Sequence, residues 1–346
     1  AGPAPARGGV RPSRRLAARL GLALLAALAA AVLAAAPAAA HATVVGTDPA
    51  DGARLAGVPA AVAVTFSEAV GLGSGYLRVT DAQAAEVSDG PATHPDGDAA
   101  RLQVALAAGL PDGSYLISWR VVSEDSHVIA GSSRFVVGDG PLLDFGPTVA
   151  DAARPEISVL AGVARGLGYV GLALLAGLWL LFVAAPSARA AAAAAALAWT
   201  GWAAAALGAI GGILAQGAAA SGRGLGSLLD LDQLDATLAT SYGRLHCWEL
   251  IVLGLLAAVL PQALTAASEE RRHGAPEVLA MLLLAVVSTV SASGHAAAAS
   301  PRLLALGADA VHLAAAGVWL GGLVVLLVAL APHQDPLDAQ RALRTF

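Results

Sequence analysis

The sequence predicts two fold classes in one chain: an all-β sandwich or barrel, followed by an all-α bundle of transmembrane helices. Composition is the first ground. Of 346 residues, 57% are apolar and 13% charged, against roughly 45–50% and about 25% in an average soluble protein. Clustering is the second, because apolar runs of about 18 residues or more, enough to cross a hydrocarbon core about 30 Å thick, recur along the second half. Texture is the third. Residues 41–138 alternate apolar with small or polar positions between Pro, Gly and Asp, as half-buried strands do. The same counts exclude several functions. A net charge of −5 offers no basic surface for nucleic acid. The single Cys247 excludes an internal disulfide, a CxxC pair and any thiolate-rich zinc or iron–sulfur site.

Residues 1–40 have the pattern of an export signal. Arg7, Arg11, Arg14, Arg15 and Arg19 form a basic segment, Leu20 to Ala36 an apolar one, and Ala38-Ala39-Ala40 a small-residue cleavage site. Cleavage after Ala40 makes His41 the new N-terminus; an uncleaved signal anchor is the alternative. In the segment that follows, Val62, Val64 and Phe66 mark one strand. Tyr115, Ile117, Trp119 and Val121 mark a second, and Phe135 with Val137 a third. Pro111-Asp112-Gly113 reads as a hairpin turn between two such runs. Residues 139–156 form a Pro/Gly-punctuated linker.

Residues 157–346 carry five apolar spans, near 159–185, 190–220, 245–264, 278–293 and 303–331. Lipid cannot hydrogen-bond a backbone, so these must be helices. With the β-domain exported, the first span runs from outside to inside, and Glu269 to His273 and the C-terminal tail fall in the cytoplasm. Arginines lie on both sides, so this orientation rests on the signal and not on the positive-inside rule. The chain starts without Met and stops within a polar stretch at Arg344-Thr345-Phe346, and a C-terminally incomplete helical domain is expected.

A cleaved His41 offers an α-amine and an imidazole to one metal, a nitrogen pair suited to tetragonal Cu(II). Asp125 and His127 add a carboxylate and a second imidazole two residues apart, which on an extended segment share a face. From spacing alone the two also read as decoration of a surface loop.

Several stretches carry a resemblance. These are His41 through Thr47-Asp48-Pro49-Ala50-Asp51-Gly52, then Thr65-Phe66-Ser67-Glu68-Ala69-Val70, and above all Ser118-Trp119-Arg120-Val121-Val122-Ser123-Glu124-Asp125-Ser126-His127 with Gly131-Ser132. Over essentially all of residues 41–138 the chain resembles the CopC family of secreted copper-binding β-sandwich domains. The resemblance implies a Greek-key, cupredoxin-like sandwich with Cu(II) held by His41, Asp125 and His127. Some members also bind Cu(I) in a Met-rich loop. Here the single methionine, Met281, lies in a membrane span, so no such site is expected. His94 reads as a solvent-exposed loop residue, with an auxiliary ligand as the alternative.

Ionisable side chains within a membrane span cost about 2.5–3.5 kcal/mol at the bilayer centre, which makes each a functional candidate. Asp309 and His312 share one face of the fifth span, with Trp319 one heptad beyond His312. His295 ends the fourth span at the outer face, and His246, Cys247 and Glu249 enter the third from it. Donors thus collect in the outer half of the bundle. The plainer alternative pairs Asp309 with an arginine such as Arg165. Cys247 is left aside as a small buried hydrophobe, and Glu249 is a candidate proton carrier or charge partner.

From about Val159 on, Thr240-Ser241-Tyr242-Gly243-Arg244-Leu245, Ser293-Gly294-His295-Ala296 and especially the run from Ala308 through Asp309, His312 and Trp319 to Leu323 are similar to the CopD family of multi-spanning copper transport proteins. The resemblance implies a transport site including His295, Asp309 and His312. Glu249 departs from it where a Lys is expected, and five spans stand where the family usually has about eight.

The resulting expectation is a non-enzyme in the cytoplasmic membrane, with its β-domain on the extracytoplasmic side. It captures Cu(II), and its bundle moves copper of undetermined oxidation state across the bilayer, most simply inward. No P-loop is present, so ATP is not an expected partner. Copper ion and membrane lipid are, and homo-oligomer formation stays open. Two other readings remain at this point. His295 and His312 are a candidate haem pair in an electron carrier or cupric reductase, and His41 is a candidate for an oxygen-activating copper site.

Overall fold

A computed structural model of the chain describes residues 42–123, 126–145, 154–184, 188–268, 275–299 and 301–325. The export segment, His41 and Asp125 lie outside the described residues.

Eight strands form the β-domain: β1 (Val44–Asp48), β2 (Ala53–Leu55), β3 (Ala61–Phe66), β4 (Val70–Asp81), β5 (Ser88–Thr93), β6 (Arg101–Leu106), β7 (Gly113–Ser123) and β8 (Val128–Val137). They make two four-stranded sheets, ordered β1-β3-β6-β5 and β2-β8-β7-β4, with β2 running parallel to β8. Val62, Val64 and Phe66 from one sheet meet Tyr115, Ile117, Trp119, Val121, Phe135 and Val137 from the other in a single core. Alternation on the strands therefore reads directly as sandwich interior.

Pro111-Asp112-Gly113 is not a hairpin. β6 and β7 belong to different sheets, and this segment carries the chain across the sandwich edge. Turn residues favour a bend; which sheet receives the next strand is decided by packing. Here Tyr115, buried at the start of β7, donates its hydroxyl to the Pro111 carbonyl at 2.5 Å and clamps the crossing. Burial, helped by Asp81 and Asp112, pushes that phenol above its ordinary pKa, so it remains a donor.

Strand β7 also departs from the half-buried pattern, being covered on both faces. Ser114, Ser118, Arg120 and Val122, all on the face away from the core, are buried. The start of the linker covers part of that face: Ser114 donates to the Pro141 carbonyl at 2.6 Å and accepts from the Leu143 amide at 3.0 Å. Arg54 reaches the Gly140 carbonyl, and Arg134 pairs with Asp144 at 3.5 Å. The helical layer covers the rest.

The helices are α1 (Pro155–Ala184), α2 (Ala188–Ser221), α3 (Leu231–Leu238), α4 (Ser241–Ser268), α5 (Ala275–Ala292) and α6 (Arg302–Val325). Among the described residues, α1, α2, α4 and α6 are long and apolar enough to cross a membrane, while α5 is a shorter apolar helix. Of the five spans expected, α5 thus falls short of spanning length in the described residues. Pro155 opens α1 at the position where a missing amide costs nothing. Gly222, at φ 69°, ends α2 in the left-handed conformation that glycine adopts without penalty. The short α3 was not expected. It is capped by Asp230, whose carboxylate accepts from the Asp232 and Gln233 amides and pairs with Arg223 at 2.8 Å.

Small residues set the bundle packing, as they do where lipid gives no hydrophobic drive between helices. A Cβ on Gly208 of α2 would sit 2.6 Å from the Gly168 amide nitrogen of α1. Gly321 of α6 lies so close to Ala173 and Gly177 of α1 that no methyl group fits between the backbones. Trp202 of α2 donates to the Leu253 carbonyl of α4 at 2.7 Å.

Candidate functional site

The sandwich sits on one end of the bundle. Ser74 donates to the Gln233 carbonyl of α3 at 3.2 Å, and Gln216 near the end of α2 donates to the Ser126 carbonyl in the β7–β8 loop at 2.9 Å. Arg120 of β7, 8% exposed, donates its Nε–H to the Ala219 carbonyl of α2 at 2.7 Å. Arg154 likewise donates to the Gly222 carbonyl at 3.3 Å. Two guanidiniums thus meet the C-terminal end of α2, where the helix dipole favours positive charge. Burial pulls the Arg120 guanidinium below its ordinary pKa, Tyr76 opposing and Arg154 adding to the shift; an arginine stays charged regardless.

Between the two layers lies a half-open cavity of about 400 Å³. The loop contributes Ser126 and His127. The first turns of α1 and α4, the last turns of α2 and α5, and the turn at His295 complete it. Successive long helices therefore present alternating ends to the sandwich, the arrangement of an up-and-down bundle.

The β7–β8 loop is a tight return. Ser126 has φ 71°, the Ser126 amide donates to the Ser123 carbonyl, and the Ser123 amide donates to the His127 carbonyl, both at 2.9 Å. The segment is thus not extended at Ser126, and Asp125 itself lies outside the described residues. His127 instead faces the bundle. Its ring centroid is 4.7 Å from that of His295, at a tilt of 51°. His295 begins a 3₁₀ turn after α5 and lines the same cavity.

His246 and Glu249 reach the cavity from α4, three residues apart on one face. The His246 ring stacks on Tyr242 with centroids 4.1 Å apart, and its Nδ1 is buried with no hydrogen-bond partner among the described residues. Glu249 is 4% exposed, and no hydrogen bond or ion pair to it occurs among the described residues. Gly212 makes the space, since a Cβ there would stand 2.7 Å from the Tyr242 hydroxyl and 3.3 Å from the His246 ring.

Asp309 and His312 are not part of this cavity. Asp309 is half-buried and His312 exposed on α6. The reason lies in the helix period: Gly321 is locked against α1, and nine residues at 3.6 per turn place His312 about half a turn away from it. Trp319, 60% exposed, also points outward. No ion pair joins Asp309 to Arg165, which is an exposed residue of the cavity wall. Cys247 is half-buried on α4 and outside the lining. His94 stands apart as well: exposed, with Nδ1 bonded to the Asp98 and Arg101 carbonyls at 3.2 and 2.9 Å.

Among the described residues no group of three or more His, Cys, Asp or Glu is close enough to hold a metal ion. The cavity instead gathers donors in pairs, His127 with His295 and His246 with Glu249. Sequence reasoning missed Gln216 and Arg120, which fix the loop over the bundle. Gln216 is a lone amide in an Ala-rich span, a signal that could have been read; Arg120 lay within the quoted CopC-like stretch.

Comparison with known proteins adds three findings. Residues 44–138 match the model of the CopC domain. The chain is 26% identical over 315 residues to the copper transport protein CutJ of Bacillus subtilis, covering 88% of this chain and 56% of that protein. Thus it spans about half the length of that relative. It is 33% identical over 97 residues to protein YobA of Escherichia coli K12, covering 28% of this chain and 78% of that protein. Among solved structures, CopC from Methylosinus trichosporium OB3b is 25% identical, covering 30% of this chain and all of that one, with a TM-score of 0.26.

Proposed function

Because the chain belongs to the CopC family through its β-domain, and fits a CopC–CopD fusion beyond it, we propose that it captures Cu(II) outside the cytoplasmic membrane and passes copper inward through the bundle. Its likeness to a copper transport protein supports copper transport by a non-enzyme; the capture site, direction and residues are our reading. His41, Asp125 and His127 hold the cupric ion, the amine and imidazole of His41 forming a chelate. His295 receives it.

One observation carries this: His127, at the end of the Asp-x-His motif, stands ring to ring with His295 on the wall of a cavity that opens into the helices. An ion released from the loop meets a bundle donor without crossing lipid. The membrane potential favours a cation moving inward by about 2.3 kcal/mol per charge per 100 mV, so import needs no nucleotide.

Uptake of radioactive copper by cells lacking the gene, then regaining it intact or as His295→Ala, tests the reading. Restored uptake with the intact gene and reduced uptake with the variant are expected. Uptake that does not change when the gene is lost would remove the import claim.

A further inference from the structure

His246 and Glu249 face, from consecutive turns of α4, the same cavity that the His127–His295 pair lines. Glu249, a residue only 4% exposed and with no bonded neighbour among the described residues, lines this cavity. Beside it a buried imidazole nitrogen has no hydrogen-bond partner among the described residues, while Tyr242 stacks on the ring and fixes its plane. Buried polar groups are ordinarily satisfied, and such exceptions call for a ligand or ion. Three arginines share the wall. Two of them, Arg120 and Arg154, donate to carbonyls at the end of α2, and Arg165 is exposed.

We propose that His246 and Glu249 form a second copper site, a two-donor station for the cupric ion in the cavity that the capture loop also lines. The identity of the ion rests on the capture reading above; the existence of the site does not. Imidazole nitrogen and carboxylate oxygen suit Cu(II), whereas Cu(I) is selected by thiolate and thioether. Neither Cys247 nor Met281 lines the cavity. Copper therefore enters the bundle still oxidised, and no reduction step intervenes between loop and helix. Two protein donors with water completing the shell make a weak site, and weakness serves passage, since an ion must leave a station as readily as it arrives.

The test is titration of the full chain in lipid nanodiscs with Cu(II), followed by electron paramagnetic resonance. The wild type is expected to bind about two ions, and Glu249→Gln about one, with the stronger signal intact. His246→Asn is expected to match it, which guards against a folding defect in either variant. A wild type that binds one ion, or variants that still bind two, would overturn the second site. If His127→Ala leaves both signals unchanged while Glu249→Gln removes one, the capture reading fails and the second site stands.

Discussion

Replacing Arg120 by methionine keeps the length and apolar body of the side chain and removes its charge. In the structure its Nε–H reaches the Ala219 carbonyl at 2.7 Å, across the seam between sandwich and bundle. A hydrogen bond from a charged group is worth about 1.5–3 kcal/mol. The lower end applies, for two reasons. The Ala219 carbonyl keeps the Gly222 amide at 3.3 Å, so it is not orphaned. Methionine also escapes the cost of burying a guanidinium that is only 8% exposed. A loss of about 1.5 kcal/mol corresponds to roughly tenfold in the docking equilibrium. Hydrogen exchange reads this directly, because local opening sets the amide rate. Residues 126–130 and the end of α2 should exchange about tenfold faster, with β3 and β6 unchanged. Unchanged exchange at the seam would refute the clamp. An equal rise in β3 and β6 would show that Arg120 supports the sandwich itself.

Gly131→Ala would place a Cβ 2.6 Å from the buried Trp119 ring. Overpacking of that kind costs about 1–3 kcal/mol, so calorimetry should show the sandwich melting several degrees lower; an unaltered melting point would mean the ring has room to shift. His94→Ala should leave Cu(II) affinity unchanged and only loosen the loop from Asp98 to Arg101, whereas His41→Ala should weaken binding by orders of magnitude. Isothermal titration of both variants separates these, and equal losses would contradict the assignment. Acid should also weaken capture. The free α-amine has a pKa near 8 and must lose its proton to bind, so affinity falls as pH drops below that value, by about 100-fold between pH 7 and pH 5 from the amine alone. Equal affinity at both pH values would count against amine ligation.

Much of this was legible in the chain because it depends on local periodicity. Val62, Val64 and Phe66, and the run from Tyr115 to Val121, announce strands whose inward faces do form the core. The sequence also gathered His246, Cys247, Glu249, His295, Asp309 and His312 in the outer half of the bundle, and of these His246, Glu249 and His295 line one cavity. What escaped depends on contacts between distant segments. A Pro-Asp-Gly bend does not say which sheet comes next; the Tyr115 clamp does. The spacing of Asp309 and His312 gave a shared face but not its direction, which the backbone contact of Gly321 with α1 decides. The eight residues of α3 are too short for a period to stand out.

That same contact divides the bundle mechanically. Where main chains touch with no side chain between them, two helices cannot slide or part without losing their whole interface, so α1 and α6 behave as one strut. Gly208 ties α2 to it. Any breathing that lets an ion descend must therefore come from α4 and α5, and α4 is the helix that carries His246 and Glu249.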